Sequence, residues 1–295
     1  MAHSISPEAE KILDKKFKVL DKGFVRLVDY LGNDERIVQA ARVSYGKGTK
    51  TFREDKGLIN YLLRNEHTSP FEQVIFTFHV KLPIFVARQW IRHRTARVNE
   101  ISGRYSVMNP EFYVPAQADI AFQSLNNKQG RSTEKVSPLL KKKVLEILKK
   151  NPAEAYSSYE DLLDSNIARE LARITLPLSL YTEWYWQIDL HNFFRFLMLR
   201  LDMHAQLEIR EYAEILNKIG RTVCPMAFDA FDEHILNGVK FSKTEMIALK
   251  NILEKKESGL EGKALDRFNS KLNLNTNANS GKGRLPLKSA NTNAD

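Results

Sequence analysis

The sequence predicts an α+β fold, a mixed sheet flanked by helices, and three observations carry that prediction. Val74–Val80 and Leu180–Ile188 alternate at the two-residue period of a half-buried strand. Other stretches repeat apolar residues at helical spacing, among them Ile37–Val43, Leu58–Leu62 and the run through Phe194, Leu197 and Met198. No Gly-x-Gly-x-x-Gly follows any strand, which disfavours a Rossmann dinucleotide fold.

At 295 residues, 43% of them hydrophobic and 10% aromatic, the chain can bury a sizeable core. Its formal charge of +9 suits anionic partners, whether nucleotides, nucleic acid or an acidic membrane. One cysteine excludes an intramolecular disulfide framework and fits a reducing compartment. Met1–Lys15 is polar and charged, so no signal peptide is expected, and no apolar run approaches a membrane span. The expectation is a soluble, cytoplasmic protein with no membrane partner.

In chain order, a short helix at Pro7–Asp14 precedes extended segments at Phe17–Leu20 and Phe24–Leu31. Asn33 or Asp34 caps the next helix, and another spans Gly57–Arg64. His67-Thr68-Ser69-Pro70 reads as a turn, because proline biases the residue before it toward extended geometry. The Val74–Val80 strand then feeds a helix opening at Ile84, with Pro83 at its start. Pro115–Ser137 is rich in Gln, Asn, Ser and Gly and reads as an exposed, mobile insertion. With the basic amphipathic helix Leu139–Leu148, a solvated surface helix by default, the insertion covers about 115–150. A separate helix begins at Asn151-Pro152 and reaches about Asp164, and Ser165 or Asn166 caps another over Ile167–Ala172. The aromatic strand puts Leu180, Thr182, Trp184, Trp186 and Ile188 on one face, after which Asp189 caps a helix. Gly220 is a natural stop for the helix after it, and Phe228–Leu236 is helical. Cys224, with no base nearby, reads as a buried small hydrophobe. Ser242 and Glu245 form a capping box. From Ser258 apolar spacing disappears, so domain 1–257 should end in a disordered tail, 258–295.

One stretch, Gln89–Tyr105, concentrates chemistry. Helical spacing would put Gln89, Arg92 and His93 on one face, with Ile84, Ala87 and Ile91 on another. Arg92, His93, Arg94, Arg97 and Arg104 face a single carboxylate, Glu100, in this span. A solvated basic helix end is one reading. A polyanionic ligand is the other, since guanidinium forks match phosphate oxygens in pairs and Ser102-Gly103 can add backbone donors.

The order Arg92-His93-Arg94, then Asn99-Glu100-x-Ser102-x-Arg104-Tyr105, resembles the signature of flavin-dependent thymidylate synthases. Arg97 stands where that pattern usually shows Ser, which would add a cation to the pocket rim. His67-x-Ser69-Pro70-Phe71-Glu72 resembles the family's turn bordering the flavin, and Arg173 in Ala-Arg-x-x-Leu-Pro its nucleotide-binding arginine. Asp189, Leu190, His191 and Arg195 fall where the family touches FAD, although Asn is common at the position of Asp189. Arg200 falls on the arginine credited with polarising uracil, and the resemblance covers roughly Val25–Leu236.

The resemblance implies reductive methylation of dUMP to dTMP, with methylenetetrahydrofolate as carbon donor and NADPH as reductant through bound FAD. It also implies a homotetramer with shared sites, a single catalytic domain, no metal and no nucleic-acid partner. Catalytic roles fall on Arg200, His67 and Ser102. Cofactor binding falls on Ser69, Arg92, His93, Arg94, Glu100, Asp189, Leu190, His191 and Arg195. Substrate binding falls on Gln89, Trp90, Ile91, Arg92, Glu100, Ile101, Ser102, Gly103, Arg104, Arg173 and Arg200. Chemistry constrains two of these. An arginine stays protonated and therefore stabilises charge instead of accepting protons. Ser102 has no adjacent base and reads as a binding hydroxyl. A basic RNA- or DNA-binding protein and a different flavoenzyme acting on pyrimidine nucleotides are the alternatives.

Overall fold

The computed structural model describes residues 4–43, 52–125 and 130–277. Five strands form one sheet in the order β1-β2-β3-β5-β4. They are β1 Lys16–Val19, β2 Gly23–Leu31, β3 Ile75–Pro83, β4 Arg97–Glu100 and β5 Tyr181–Asp189. Every neighbouring pair runs antiparallel, so the α+β class stands but the expected mixed sheet is corrected. An antiparallel sheet can bury one face and leave the other polar, and this one does.

Register explains which face is buried. β3 opposes Phe76 to Ile188, Phe78 to Trp186 and Val80 to Trp184, so both alternating apolar sets project to one side. Two helices cover that side, α7 Leu190–Arg200 and α8 Leu207–Val223. Phe193 of α7 lies 5.1 Å from Phe76 and 5.5 Å from Phe78, centroid to centroid. α4 Ile84–Trp90 adds the Trp90 indole, 5.0 Å from Trp186, 4.7 Å from Phe196 and 5.8 Å from Tyr212. Buried aromatic pairs of this kind contribute about 0.5–1.5 kcal/mol each beyond the area they bury.

The opposite face is polar. His79 stacks on Tyr185 at 4.8 Å and hydrogen-bonds Glu183 at 2.9 Å. Arg97 donates to Gln187 Oε1 at 3.3 Å, its partner across the β4–β5 pair, and so belongs to this face. β4 itself escaped the sequence reading because all four of its residues are exposed and show no alternation.

Helix ends follow local chemistry with some shifts. α1 is only Pro7–Glu10, while α3 Phe52–Arg64 begins earlier than expected. Asn33 caps α2 Asp34–Arg42, its side chain accepting from Glu35 N at 3.0 Å. Asp34 is instead buried and accepts from Met226 N and Ala227 N, anchoring the start of α9 Pro225–Phe231. Asp189 caps α7 by accepting from Asn192 N at 2.9 Å. α5 Pro138–Asp164 is one helix where two were expected. A single proline removes one backbone bond, and the turns on either side carry the helix through Pro152, whose ring is buried. α6 is Arg169–Ala172.

α8 runs past Gly220 to Val223, so that glycine is not a stop. A Cβ there would lie 2.2 Å from Phe228 Cζ and 3.0 Å from Phe193 Cε1, and the missing side chain is what lets the rings approach. Cys224 is fully buried, as expected, and burial pushes its thiol pKa up.

The chain divides into two compact units, the described residues up to Phe228 and those from Asp229 on. The second contains α10 Lys243–Leu253 and α11 Gly262–Asn277. The capping box forms as expected, Ser242 N donating to Glu245 Oε2 at 2.7 Å. Glu245 is 2% exposed and also accepts from Lys271 at 2.6 Å and Arg267 at 3.3 Å. The Lys271 bond leads the interactions that hold its carboxyl down to a pKa of about 2. Phe268, fully buried, packs 6.1 Å from Phe241. The expected disorder from Ser258 therefore fails over Gly262–Asn277, where three anchoring residues outweigh a polar composition; residues 278–295 lie outside the described residues. Among the described residues, no helix is long and apolar enough to cross a membrane.

Gly220→Ala should cost about 1–3 kcal/mol, the usual range for overpacking a tight core. Chemical unfolding of the variant, set beside the parent chain, measures it.

Candidate active site

The Gln89–Tyr105 stretch folds as a helix end, a turn, the edge strand β4 and a loop. α4 stops at Trp90, short of Arg94, because the Trp90 ring is drawn wholly into the core. Gln89, Arg92 and His93 thus share a helix end and not a helix face. Past that end Arg92 and Arg94 face solvent, while His93 turns back, its ring 4.9 Å from Phe196.

There it meets the end of α7. Arg200 Nε donates to His93 Nε2 at 3.0 Å, and Arg200 Nη2 donates to the Gln89 carbonyl at 3.4 Å. Burial, then the nearby Arg200 and Arg195 cations, push the His93 pKa down to about 4. The imidazole is therefore neutral near pH 7, with Nε2 accepting and the hydrogen on Nδ1. Burial also lowers the Arg200 pKa, but a guanidinium remains charged. Two neutral acceptors orient that charge without cancelling it. Among the described residues, Arg92, Arg94, Arg173, Arg195 and Arg200 form no ion pair with a carboxylate.

A second meeting point joins the two arginine-bearing segments. A Cβ on Gly103 would lie 3.3 Å from Arg173 Cδ, so the Arg173 stem runs along that backbone. Arg169 donates to the Tyr105 carbonyl at 3.2 Å, and Arg104 pairs with Glu170 at 3.5 Å. Tyr156 donates to the Met108 carbonyl at 2.8 Å, and the Tyr159 hydroxyl accepts from Met108 N at 3.3 Å. Ser102 Oγ accepts from Arg104 N at 3.3 Å, and among the described residues no histidine or carboxylate bonds it. Glu100 accepts from Thr182 at 2.6 Å, and Ile101 N donates to the Glu183 carbonyl, fastening the end of β4 to β5.

The remaining candidates lie on the turn before β3 and along α7. His67 and Ser69 lie on an exposed turn, His67 edge-on to Tyr61 at 5.8 Å. Ser69 borders an open cleft of about 420 Å³ lined also by Arg36, Gln39 and Gln73. Arg36 was not singled out from sequence, since nothing separates it from any surface arginine. At the start of α7, Asp189 is committed to Asn192 and Leu190 is buried, its N–H bonded to Val74 O at 2.8 Å. Trp90 and Leu190 can therefore offer a ligand backbone only. His191 is half-buried and Arg195 exposed.

Because His93 has its pKa lowered in the folded chain, folding favours its neutral form. That contribution is present above the ordinary value of about 6.5 and is lost as pH falls from there toward 4. Denaturant unfolding at pH 7.5 and pH 5 should show a smaller acid loss for His93→Gln than for the parent chain.

Residues 26–226 match the family described as thymidylate synthase complementing protein, and residues 239–277 match the thymidylate synthase ThyX C-terminal domain. The flavin-dependent thymidylate synthase of Treponema denticola is 67% identical over 260 residues, covering 88% of this chain and 98% of the relative. That of Treponema pallidum is 57% identical over 272 residues, covering 92% and 89%. Among solved structures, a UMP/dUMP methylase PolB from Streptomyces cacaoi, bound with 5-Br dUMP, superposes with a TM-score of 0.67. It is 32% identical, covering 75% of this chain and 99% of that one. With the signature loop and the second arginine segment joined in one fold, and relatives this similar over most of their length, the chain belongs to the flavin-dependent thymidylate synthase family.

Proposed function

We propose that this chain methylates dUMP to dTMP, taking the carbon from methylenetetrahydrofolate and the reducing equivalents from NADPH through bound FAD. The observation that carries the reading is the Arg200–His93–Gln89 junction, a half-buried guanidinium oriented by neutral acceptors and free of any carboxylate. Such a charge is available to a ligand. Placed against the uracil ring, Arg200 stabilises the negative charge that develops on a carbonyl and N3 as C5 becomes nucleophilic. Arg173 and Arg104, with the Ser102-Gly103 backbone, suit the nucleotide phosphate.

FAD fits the exposed cations. Arg92, Arg94 and Arg195 present uncompensated donors suited to a pyrophosphate, and His67, Ser69, Glu100 and His191 are the polar groups assigned to orient the flavin. Asp189 and Leu190 could contribute backbone or positioning there. When bound, the flavin supplies the hydride that completes the methyl group. The protein provides no nucleophile in this scheme: Ser102 holds an N–H and Cys224 is buried with a raised pKa. Assembly as a homotetramer belongs to the same reading, since the outward-facing arginines in one chain suit a site completed by other copies. A cytoplasmic setting and a chemistry without metal or nucleic acid complete it.

Two measurements test this. Production of dTMP should require dUMP, methylenetetrahydrofolate, NADPH and FAD together, and turnover with any one omitted would overturn the assignment of that ligand. Arg200→Ala should fold with an unchanged unfolding midpoint and lose dTMP formation by about 10²–10³-fold, the scale of removing one preorganised charge stabiliser. Near-wild-type turnover in that variant would overturn the role of Arg200.

A further inference from the structure

A buried carboxylate behind the Arg200 junction is not accounted for by substrate or flavin binding. Glu208, in the first turn of α8, is 1% exposed. Its Oε1 accepts from Tyr113 at 2.9 Å and from Arg131, and its Oε2 accepts from Gln206 Nε2 at 2.8 Å. Burial alone would raise its pKa, but Arg131 leads the interactions that outweigh burial and hold it low. The carboxylate is thus charged, paired and satisfied on both oxygens. A buried charge in that condition is rigid, because moving any partner exposes an uncompensated group.

The connections do not stop there. Gln206 Oε1 accepts from Gln89 Nε2, and Gln89 is the residue whose carbonyl holds Arg200 Nη2. The path from Glu208 therefore runs through Gln206 to the Gln89 side chain, and the Gln89 backbone carbonyl passes it on to Arg200. At its far end it reaches the insertion. Ser124 N donates to the Gly130 carbonyl at 3.0 Å and Ser132 N to the Phe122 carbonyl at 2.8 Å, holding Arg131 opposite Gln123. The described part of a stretch that reads as mobile in sequence is fastened to a buried acid.

We infer that Glu208 is a positioning residue that sets Arg200 through Gln206 and Gln89, with Arg131 of the insertion holding the Glu208 carboxylate in place. The inference rests on the proposed contact between Arg200 and the uracil ring. Loss of Glu208 charge should leave the Arg200 charge present and its His93 bond in place but loosen the Gln89 side that aims its outer nitrogen, so substrate affinity and turnover fall together. A carboxylate that merely supported the local fold would lower stability and leave the Arg200 contribution unchanged.

The test is a double-mutant cycle on dUMP affinity, measured by calorimetry on the full chain with FAD bound. Glu208→Gln should weaken dUMP binding about tenfold and lower turnover at least as much, while Glu208→Gln combined with Arg200→Ala should bind within about twofold of Arg200→Ala alone. Multiplying effects, with Glu208→Gln weakening the Arg200→Ala chain by the same tenfold, would overturn the inference. So would unchanged dUMP affinity in Glu208→Gln. Should Glu208→Gln fail to fold, Gln206→Leu breaks the same path at a half-buried site and takes its place in the cycle, with the same outcomes deciding. The underlying reading fails separately: Arg200→Ala that still forms dTMP at the parent rate refutes the uracil contact, and the coupling is still read from affinity.

Discussion

The burial of Trp90 is the interaction on which the site depends. Its indole sits among Trp184, Trp186, Phe196 and Tyr212, on three different elements, and cannot shift without opening a large void. That packing ends α4 at one residue and presses its last turn against the last turns of α7. His93 and Gln89 reach Arg200 only because Trp90, between them in sequence, is locked in the core. An apolar contact thereby sets polar geometry, and it does so with little freedom, since a ring pinned on several sides has no alternative rotamer to occupy.

Charge distribution supports the same view. Elsewhere in the chain the cations meet acids: Arg42 with Asp55, Arg26 with Asp14, Lys81 with Glu111, Lys271 with Glu245. Around the junction the pattern reverses. Arg92, Arg94, Arg173, Arg195 and Arg200 stand without carboxylates, and the nearest titratable neighbour of Arg200 is a histidine held neutral by burial and by the surrounding positive charge. Cations left together in this way repel one another in the absence of a ligand, so the arrangement favours an anion. Glu208, the buried acid on the same hydrogen-bonded path, is paired with Arg131 and does not touch Arg200.

The antiparallel sheet separates these functions between its faces. Its apolar face holds the aromatic core and, through α4 and α7, the arginine junction. Its polar face holds His79, Glu183, Tyr185 and, unexpectedly, Arg97. The residue that departs from the family pattern is accommodated by a cross-strand partner, Gln187, and leaves the junction as it is. Tolerance of the change follows from strand alternation: position 97 points away from the core by the same periodicity that points Trp186 into it.

Local rules in the sequence determined much of this protein: the two long strands, the caps at Asn33, Asp189 and Ser242, the burial of Cys224, and the irregular spacing of the signature residues. Each depends on neighbours a few positions away, and such information is present in the chain before it folds. Tertiary structure alone decided where α4 ends, because the Trp90 pocket is built from residues about a hundred positions downstream. It alone decided that Gly220 serves packing instead of termination, that α11 is ordered by Glu245, and that Arg131 reaches Glu208 across 77 residues of sequence. Those outcomes turn on contacts between distant segments, where composition and periodicity carry no signal because the deciding partner lies elsewhere in the chain.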